Sequence, residues 1–444
     1  MKKVSLKQNL FDIALTFARR FLSGLIQLGT ILVLAQFLGA EGLGVYSVAL
    51  LLPSLMALAF NFGLSSANTF YIASGEVTLP HAWAATRDVA GGIIFVGTLC
   101  GGLFIHWFGE VAFPGVPRLV LLMALLTFPV NLLLGVVTGF FLAAGDFRSF
   151  NATVLIQPIC TFCAIIGLWL WGGVTLENVF IAVVVSYLLA LIFSLKLLTK
   201  WTELGTRASG KITYLRKAFT YGLKAHLGNI ISFLNYRLDL FLVNLFVGPE
   251  GAGIYMVAVR LVEQLWMISQ AVSTVLFPRL SAMKNDDEDK GALTALLARM
   301  VLWLTGVSAA GLALVASPII SVLFGEEFAD GVVVLYLLLP GVVVFSCART
   351  LANDWAARGM VGVNLVLALV AFGVNAIANL LFIPMYGIYG AAIATSMTYV
   401  LVFVIRLGLL NKLSDVVWWA PIVLRRQDLS SIRALVSRVR PRAN

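Results

Sequence analysis

Hydrophobic positions along the 444 residues fall into apolar stretches of about 20 residues or more, separated by short breaks at Gly, Pro and charged residues. A helix of that length crosses roughly 30 Å of hydrocarbon. About twelve such stretches are legible, over 11–38, 45–64, 89–108, 119–143, 151–171, 178–199, 219–247, 254–278, 293–323, 332–352, 360–383 and 389–410. Transmembrane strands would instead alternate in polarity. Runs such as Ile181 to Leu198 do not, which excludes a barrel. The expected fold class is an all-α polytopic membrane protein.

Composition agrees, with 60% hydrophobic residues, 12% charged and a mean hydropathy of +0.97. One water-soluble core does not hide that much apolar surface. The first stretch follows Lys2 and Lys3 as a signal peptide would. It is too long for one, carries Arg19 and Arg20, and lacks a small-residue cleavage site, so it is expected to persist as helix one.

Basic residues collect in cytoplasmic loops. Lys2, Lys3 and Lys7 precede helix one, and Arg87 and Arg148 occupy the next two loops on that side. Lys200, Arg207, Lys211, Arg216 and Lys217 follow helix six, Arg279, Lys284 and Lys290 follow helix eight, and Lys412 through Arg442 fill the tail. The opposite side holds Arg118 among acids such as Glu41, Glu110, Glu177, Glu250, Glu326, Glu327 and Asp330. Both termini are therefore expected in the cytoplasm. The same bias explains the net charge of +10. Because no soluble domain displays those charges, nucleic acid is not an expected partner.

Cys100, Cys160, Cys163 and Cys347 all lie in apolar stretches. Even the C-x-x-C spacing of Cys160 and Cys163 reads there as packing rather than redox chemistry. His81, His106 and His226 are scattered without metal-ligand spacing, so neither a metal nor another cofactor is expected.

The chain contains a repeat of itself. Phe37 to Ala49 reads FLGAEGLGVYSVA and Phe246 to Ala258 reads FVGPEGAGIYMVA, at a constant offset of 209 residues. Gly39, Glu41, Gly42, Gly44, Tyr46, Val48 and Ala49 reappear as Gly248, Glu250, Gly251, Gly253, Tyr255, Val257 and Ala258. Each copy sits at the outer turn between the first two helices of a half. There glycines permit a reversal, the glutamate faces water and the tyrosine is expected to anchor at the interface. Six helices separate the copies, so the halves run parallel, as two six-helix lobes around a central cavity. The expected organisation is an N-terminal lobe over 1–199, a basic cytoplasmic connector over 200–217, a C-terminal lobe over 218–410 and a basic tail over 411–444. The tail, with Trp418 and Trp419 followed by Leu429, Ile432, Val436 and Val439 among arginines, reads as an amphipathic helix on anionic lipid.

Charged residues inside membrane helices are costly and face a cavity or a partner. Arg19 and Arg20 lie on helix one, where they either snorkel to the cytoplasmic interface or line the cavity, with Asp12 seven residues before Arg19 on the same face. Arg237 and Asp239 lie mid-way along helix seven, and two residues apart they point in opposite directions, so at least one needs a partner elsewhere. Arg260 and Glu263 are three apart on helix eight and are expected to pair. Arg349, Asn353 and Asp354 read as an interfacial anchor of helix ten. Arg19, Arg20, Arg237 and Arg260 suit an anionic ligand, since guanidinium groups bind phosphate oxygens in a fork geometry.

The two repeat motifs, Asp239, and Phe277, Pro278, Arg279, Leu280 and Ser281 closing helix eight together resemble the polysaccharide biosynthesis family of Wzx-type flippases. That family belongs to the multidrug, oligosaccharidyl-lipid and polysaccharide exporter superfamily. The resemblance covers about residues 8 to 410 and implies a non-enzymatic transporter in the bacterial inner membrane. Its cargo would be a polyprenyl-diphosphate-linked oligosaccharide of O-antigen, capsule or exopolysaccharide, moved from inner to outer leaflet by alternating access. It further implies a diphosphate held by Arg19, Arg20, Arg237 and Arg260, ion coupling or internal pairing by Asp12, Asp239 and Glu263, and a polysaccharide polymerase and other assembly proteins as partners beside membrane lipids.

Two alternatives remain open. A cation-coupled multidrug exporter of the same superfamily would need acidic groups in the cavity, whereas arginine dominates here. A membrane polysaccharide polymerase or ligase would need room in a long outer loop, whereas the outer loops span roughly four to ten residues.

Overall fold

The computed structural model describes residues 6–203, 210–283, 287–414, 416–425 and 428. Among these there is no strand, as expected of backbone that must satisfy its own hydrogen bonds in lipid. The helices are α1 (Leu6–Ala49), α2 (Leu51–Ala59), α3 (Leu64–Ala73), α4 (Leu79–Ala112), α5 (Arg118–Leu125), α6 (Thr127–Ala143) and α7 (Phe147–Leu170). There follow α8 (Leu176–Leu198), α9 (Lys211–Val247), α10 (Pro249–Glu263), α11 (Trp266–Ala282), α12 (Asp287–Leu323), α13 (Asp330–Ala357) and α14 (Val361–Ser414).

Ten apolar spans are long enough to cross a membrane when the bent pair α10 and α11 is taken as one, among the described residues. Two of them contain a glycine that only a residue without Cβ adopts readily, Gly39 in α1 (φ 65°) and Gly387 in α14 (φ 58°). Each marks a kink that joins two helices. Counting both halves of each gives the twelve crossings expected from the sequence. They form a helical bundle of two parallel lobes.

The structure also refines the sequence spans. Helix two, expected over 45–64, is three pieces from the end of α1 through α2 to α3, and helix eight breaks after Glu263 with a bend of 41°. α9 begins at Lys211, inside the basic connector, and residues 204–209 of that connector lie outside the described residues. So does the tail beyond residue 428, including its apolar positions from Leu429 to Val439. The described start of the tail folds back onto α12. There the buried Arg299 donates to the Ala420 carbonyl at 2.5 Å and pairs with Asp428, while Trp303 donates to the Ile422 carbonyl at 2.8 Å.

The two repeat copies meet each other. α1 and α10 cross at Gly44 and Gly253, so closely that a Cβ on Gly253 would lie 1.9 Å from the Ala40 carbonyl oxygen. A Cβ on Gly44 would lie 1.7 Å from that of Pro249. Small residues permit this approach of membrane helices. We call this the repeat end. At the other, connector end, Gly63 and Gly222 touch backbone to backbone, and Phe70 of α3 stacks on Tyr221 of α9 with centroids 4.6 Å apart. Nearby, Tyr214 donates to Asn68 and Lys211 pairs with Asp88. The lobes are thus joined at both ends around a central space.

Candidate functional site

That space is a cavity of about 280 Å³ lined from both lobes. α9 supplies Arg237 because its Phe233, Arg237 and Leu240 share one helical face. α10 supplies Arg260. Its carboxylate partner is Glu263, which accepts from Arg260 Nη1 at 3.2 Å and from Arg237 Nη1 at 3.5 Å. The pairing of Arg260 with Glu263 thus follows the expected spacing, and the same carboxylate is the remote partner that Arg237 needed. Three charged groups carry a net +1, and Arg260 Nε is buried with no hydrogen-bond partner.

The opposite wall is neutral. Gln27, Thr30 and Ser47 of α1, Ser54 of α2, and Gln157 and Thr161 of α7 present amides and hydroxyls. Ser54 also lines an adjoining space of about 320 Å³ toward the connector end, with Asn61, Ser65, Asn131, His226 and Asn229. These neutral positions escaped the sequence reading, which looked only for charge. The repeat carried a signal: subtracting 209 from Asp239 and Glu263 gives Thr30 and Ser54, polar at matching places.

Asp239 turns away from Arg237 into a small pocket behind α10. Its Oδ2 accepts from the Tyr255 hydroxyl at 2.6 Å and its Oδ1 from the Leu240 N–H at 2.8 Å. No cation is in ion-pair contact with it among the described residues. Glu263 lines the same pocket, with Thr395 and Tyr399. The expectation that the repeat tyrosines anchor at the membrane interface is corrected here. Tyr255 is buried on Asp239 and Tyr46 lines the central cavity, because the glycine crossing draws both helices into the lobe interface.

The other predicted arginines stand apart from this cavity. Arg19 lies over the Phe150 ring at 5.6 Å. Arg20 donates to Gln270 of α11 at 2.8 Å. The side chain of Asp12 lies outside the described residues, as do those of Phe277, Pro278, Arg279 and Ser281. Arg349 faces inward over Trp266 at 5.5 Å, Asn353 donates to Ser273 at 2.8 Å, and Asp354 is buried against Arg358 at 2.9 Å. That group is therefore packed within the lobe rather than set at its rim as an anchor. Arg406, not singled out in the sequence, is buried between Asn364, at 2.8 Å, and the Trp355 ring.

Among solved structures, the fold is similar to the lipid II flippase MurJ in its inward closed conformation, with a TM-score of 0.78 and 16% identity over 97% of this chain and 94% of that one. It is similar too to an inward-facing multidrug resistance MATE transporter of the MOP superfamily, with a TM-score of 0.73 and 15% identity over 88% of this chain and 96% of that one. Among curated proteins, the probable low-salt glycan biosynthesis flippase Agl15 of Haloferax volcanii is 23% identical over 41% of this chain and 39% of its own length. The succinoglycan biosynthesis transport protein ExoT of Rhizobium meliloti is 23% identical over 70% of this chain and 61% of its own length. The putative O-antigen transporter of Shigella flexneri is 28% identical over 42% and 44%. The chain thus spans between about two fifths and three fifths of the length of these curated relatives. The profile of the polysaccharide biosynthesis protein family matches residues 33–333, two thirds of the chain, and the chain belongs to that family.

Proposed function

We propose that this protein is a flippase. It moves a polyprenyl-diphosphate-linked oligosaccharide, an O-antigen, capsule or exopolysaccharide repeat unit, from the inner to the outer leaflet of the bacterial inner membrane, with both termini cytoplasmic. The observation that carries the reading is the two-sided cavity, with Arg237 and Arg260 on one lobe facing neutral amides and hydroxyls on the other. The guanidinium groups hold the diphosphate. Hydroxyl and amide groups opposite them bind the sugar hydroxyls, and the polyprenyl chain stays in lipid.

Glu263 acts as a stand-in anion. It balances Arg237 and Arg260 when the cavity is empty and yields to a diphosphate of higher charge. Asp239, held by neutral donors, and the released Glu263 share one pocket and couple transport to a cation or proton. Arg19 and Arg20 serve the same ligand nearer the connector end, and the 1–199 and 218–410 lobes rock about the cavity. An inside-negative potential assists outward movement by about 2.3 kcal/mol per charge per 100 mV where net charge crosses. The polymerase that uses the exported unit is the expected partner.

The test is translocation of a fluorescent polyprenyl-diphosphate oligosaccharide in proteoliposomes. Losing one charge-assisted contact is worth about 1.5–3 kcal/mol, so Arg237→Gln and Arg260→Gln each slow flipping about 10- to 150-fold. Efflux of a cationic dye with no flipping of any lipid-linked glycan would establish the exporter reading instead.

A further inference from the structure

One strip of α11 carries a second cationic group. Trp266 and Gln270 are four residues apart, hence one above the other on the helix, about 6 Å apart along its axis. Arg349 reaches Trp266 from α13, with its guanidinium 5.5 Å from the ring centroid. Arg20 reaches Gln270 from α1, in the other lobe, at 2.8 Å. Asn353, one turn beyond Arg349, ties α13 to the same strip through Ser273. Neither Arg20 nor Arg349 makes an ion pair with a carboxylate among the described residues, and the nearby Asp354 is taken by Arg358. Two cations from different lobes therefore share a strip whose own groups are an amide and an indole.

Separation from the central cavity follows from helix geometry. Arg20 lies seven residues before Gln27, about 10 Å along α1, and Gln270 lies seven residues beyond Glu263, past the 41° bend between α10 and α11. Two phosphates joined by one oxygen do not bridge that interval while keeping fork contacts at both ends. A narrow gap between the lobes, lined by Thr16, Phe17, Arg20, Met267 and Gln270, lies beside the strip.

We propose that Arg20, Arg349 and Gln270 form a second phosphate-binding station, on the connector side of the central cavity, where an amphiphile's phosphate group is held before it passes to Arg237 and Arg260. The inference rests on the lipid-linked substrate reading. Its ligand chemistry is a phosphate or diphosphate on a lipid, supplied either by the cargo itself or by a membrane phospholipid.

Calorimetric titration of the full chain in detergent micelles with inorganic pyrophosphate tests it. The wild type binds two equivalents; Arg349→Gln and Arg260→Gln each bind one, and the double variant none. The remaining equivalent in each single variant certifies its fold. One equivalent in the wild type, or two in Arg349→Gln, overturns the second station. Repeating the titration in nanodiscs containing phosphatidylglycerol identifies the source. Loss of the Arg349-dependent equivalent assigns the station to phospholipid headgroups, and its survival assigns it to the cargo. Glycan flipping by a chain that binds a single equivalent would remove this station alone. Two equivalents without any flipping would remove the transport reading alone.

Discussion

Gly253→Ala tests the seal at the repeat end. Its Cβ would stand 1.9 Å from the Ala40 carbonyl oxygen, where ordinary contact starts at 3.4 Å, so α1 and α10 must part by about 1.5 Å. The obstacle is backbone, and no side chain rotates to make room. Overpacking of this kind costs about 1–3 kcal/mol. A conformer open at the repeat end lacks the contact and escapes the cost, so the ratio of open to closed molecules rises about 5- to 160-fold. Spin labels at Phe37 and Phe246, repeat-related and exposed at this end, read the change as a longer-distance population in pulsed electron resonance. The labelled background lacks Cys100, Cys160, Cys163 and Cys347. Gly91→Ala, whose Cβ meets nothing within 4 Å, is the control and leaves the distribution unchanged. An unaltered closed distribution in folded Gly253→Ala would refute the idea that this crossing holds the lobes shut.

Two further outcomes concern the connector end. Burial raises the Asp428 carboxyl, but the Arg425 N–H and the Arg299 guanidinium outweigh it, leaving the pKa below the ordinary carboxylate value. A depressed pKa stabilises the docked tail above the undocked carboxyl's pKa near 4 and loses that contribution as pH falls through the docked value. Emission from Trp418 and Trp419 is therefore expected to hold steady from neutral pH to about 4 and to change below it, and Asp428→Asn abolishes the dependence. Asp146 caps α7 by accepting from the Ser149 N–H at 3.0 Å and hydroxyl at 2.7 Å, and also takes the Trp201 indole N–H at 3.2 Å. Asp146→Ala is expected to cost about 0.5–2 kcal/mol, seen as a lower melting temperature in detergent with binding intact.

Some of this was local in the sequence. The Arg260–Glu263 pair follows from a spacing of three on one helix. The glycines at 39 and 248 marked the breaks at both repeat copies, where φ is positive, and the offset of 209 gave parallel halves. Other features had no local trace. Arg237 finds Glu263 across 26 residues, Arg20 finds Gln270 across 250, and Arg299 finds Asp428 across 129. The repeat tyrosine was misplaced because a tyrosine near a helix end looks the same whether it meets headgroups or a buried carboxylate.

The sequence by itself determined the membrane class, the helix count, the repeat and the family, because lipid makes every crossing satisfy its own backbone and so writes length and hydropathy into consecutive residues. Only the tertiary structure decided which buried charges face each other and which wall stays neutral. Those partnerships depend on how helices cross, and at Gly44 and Gly253 the crossing is set by the close contact of two backbones far apart in the chain.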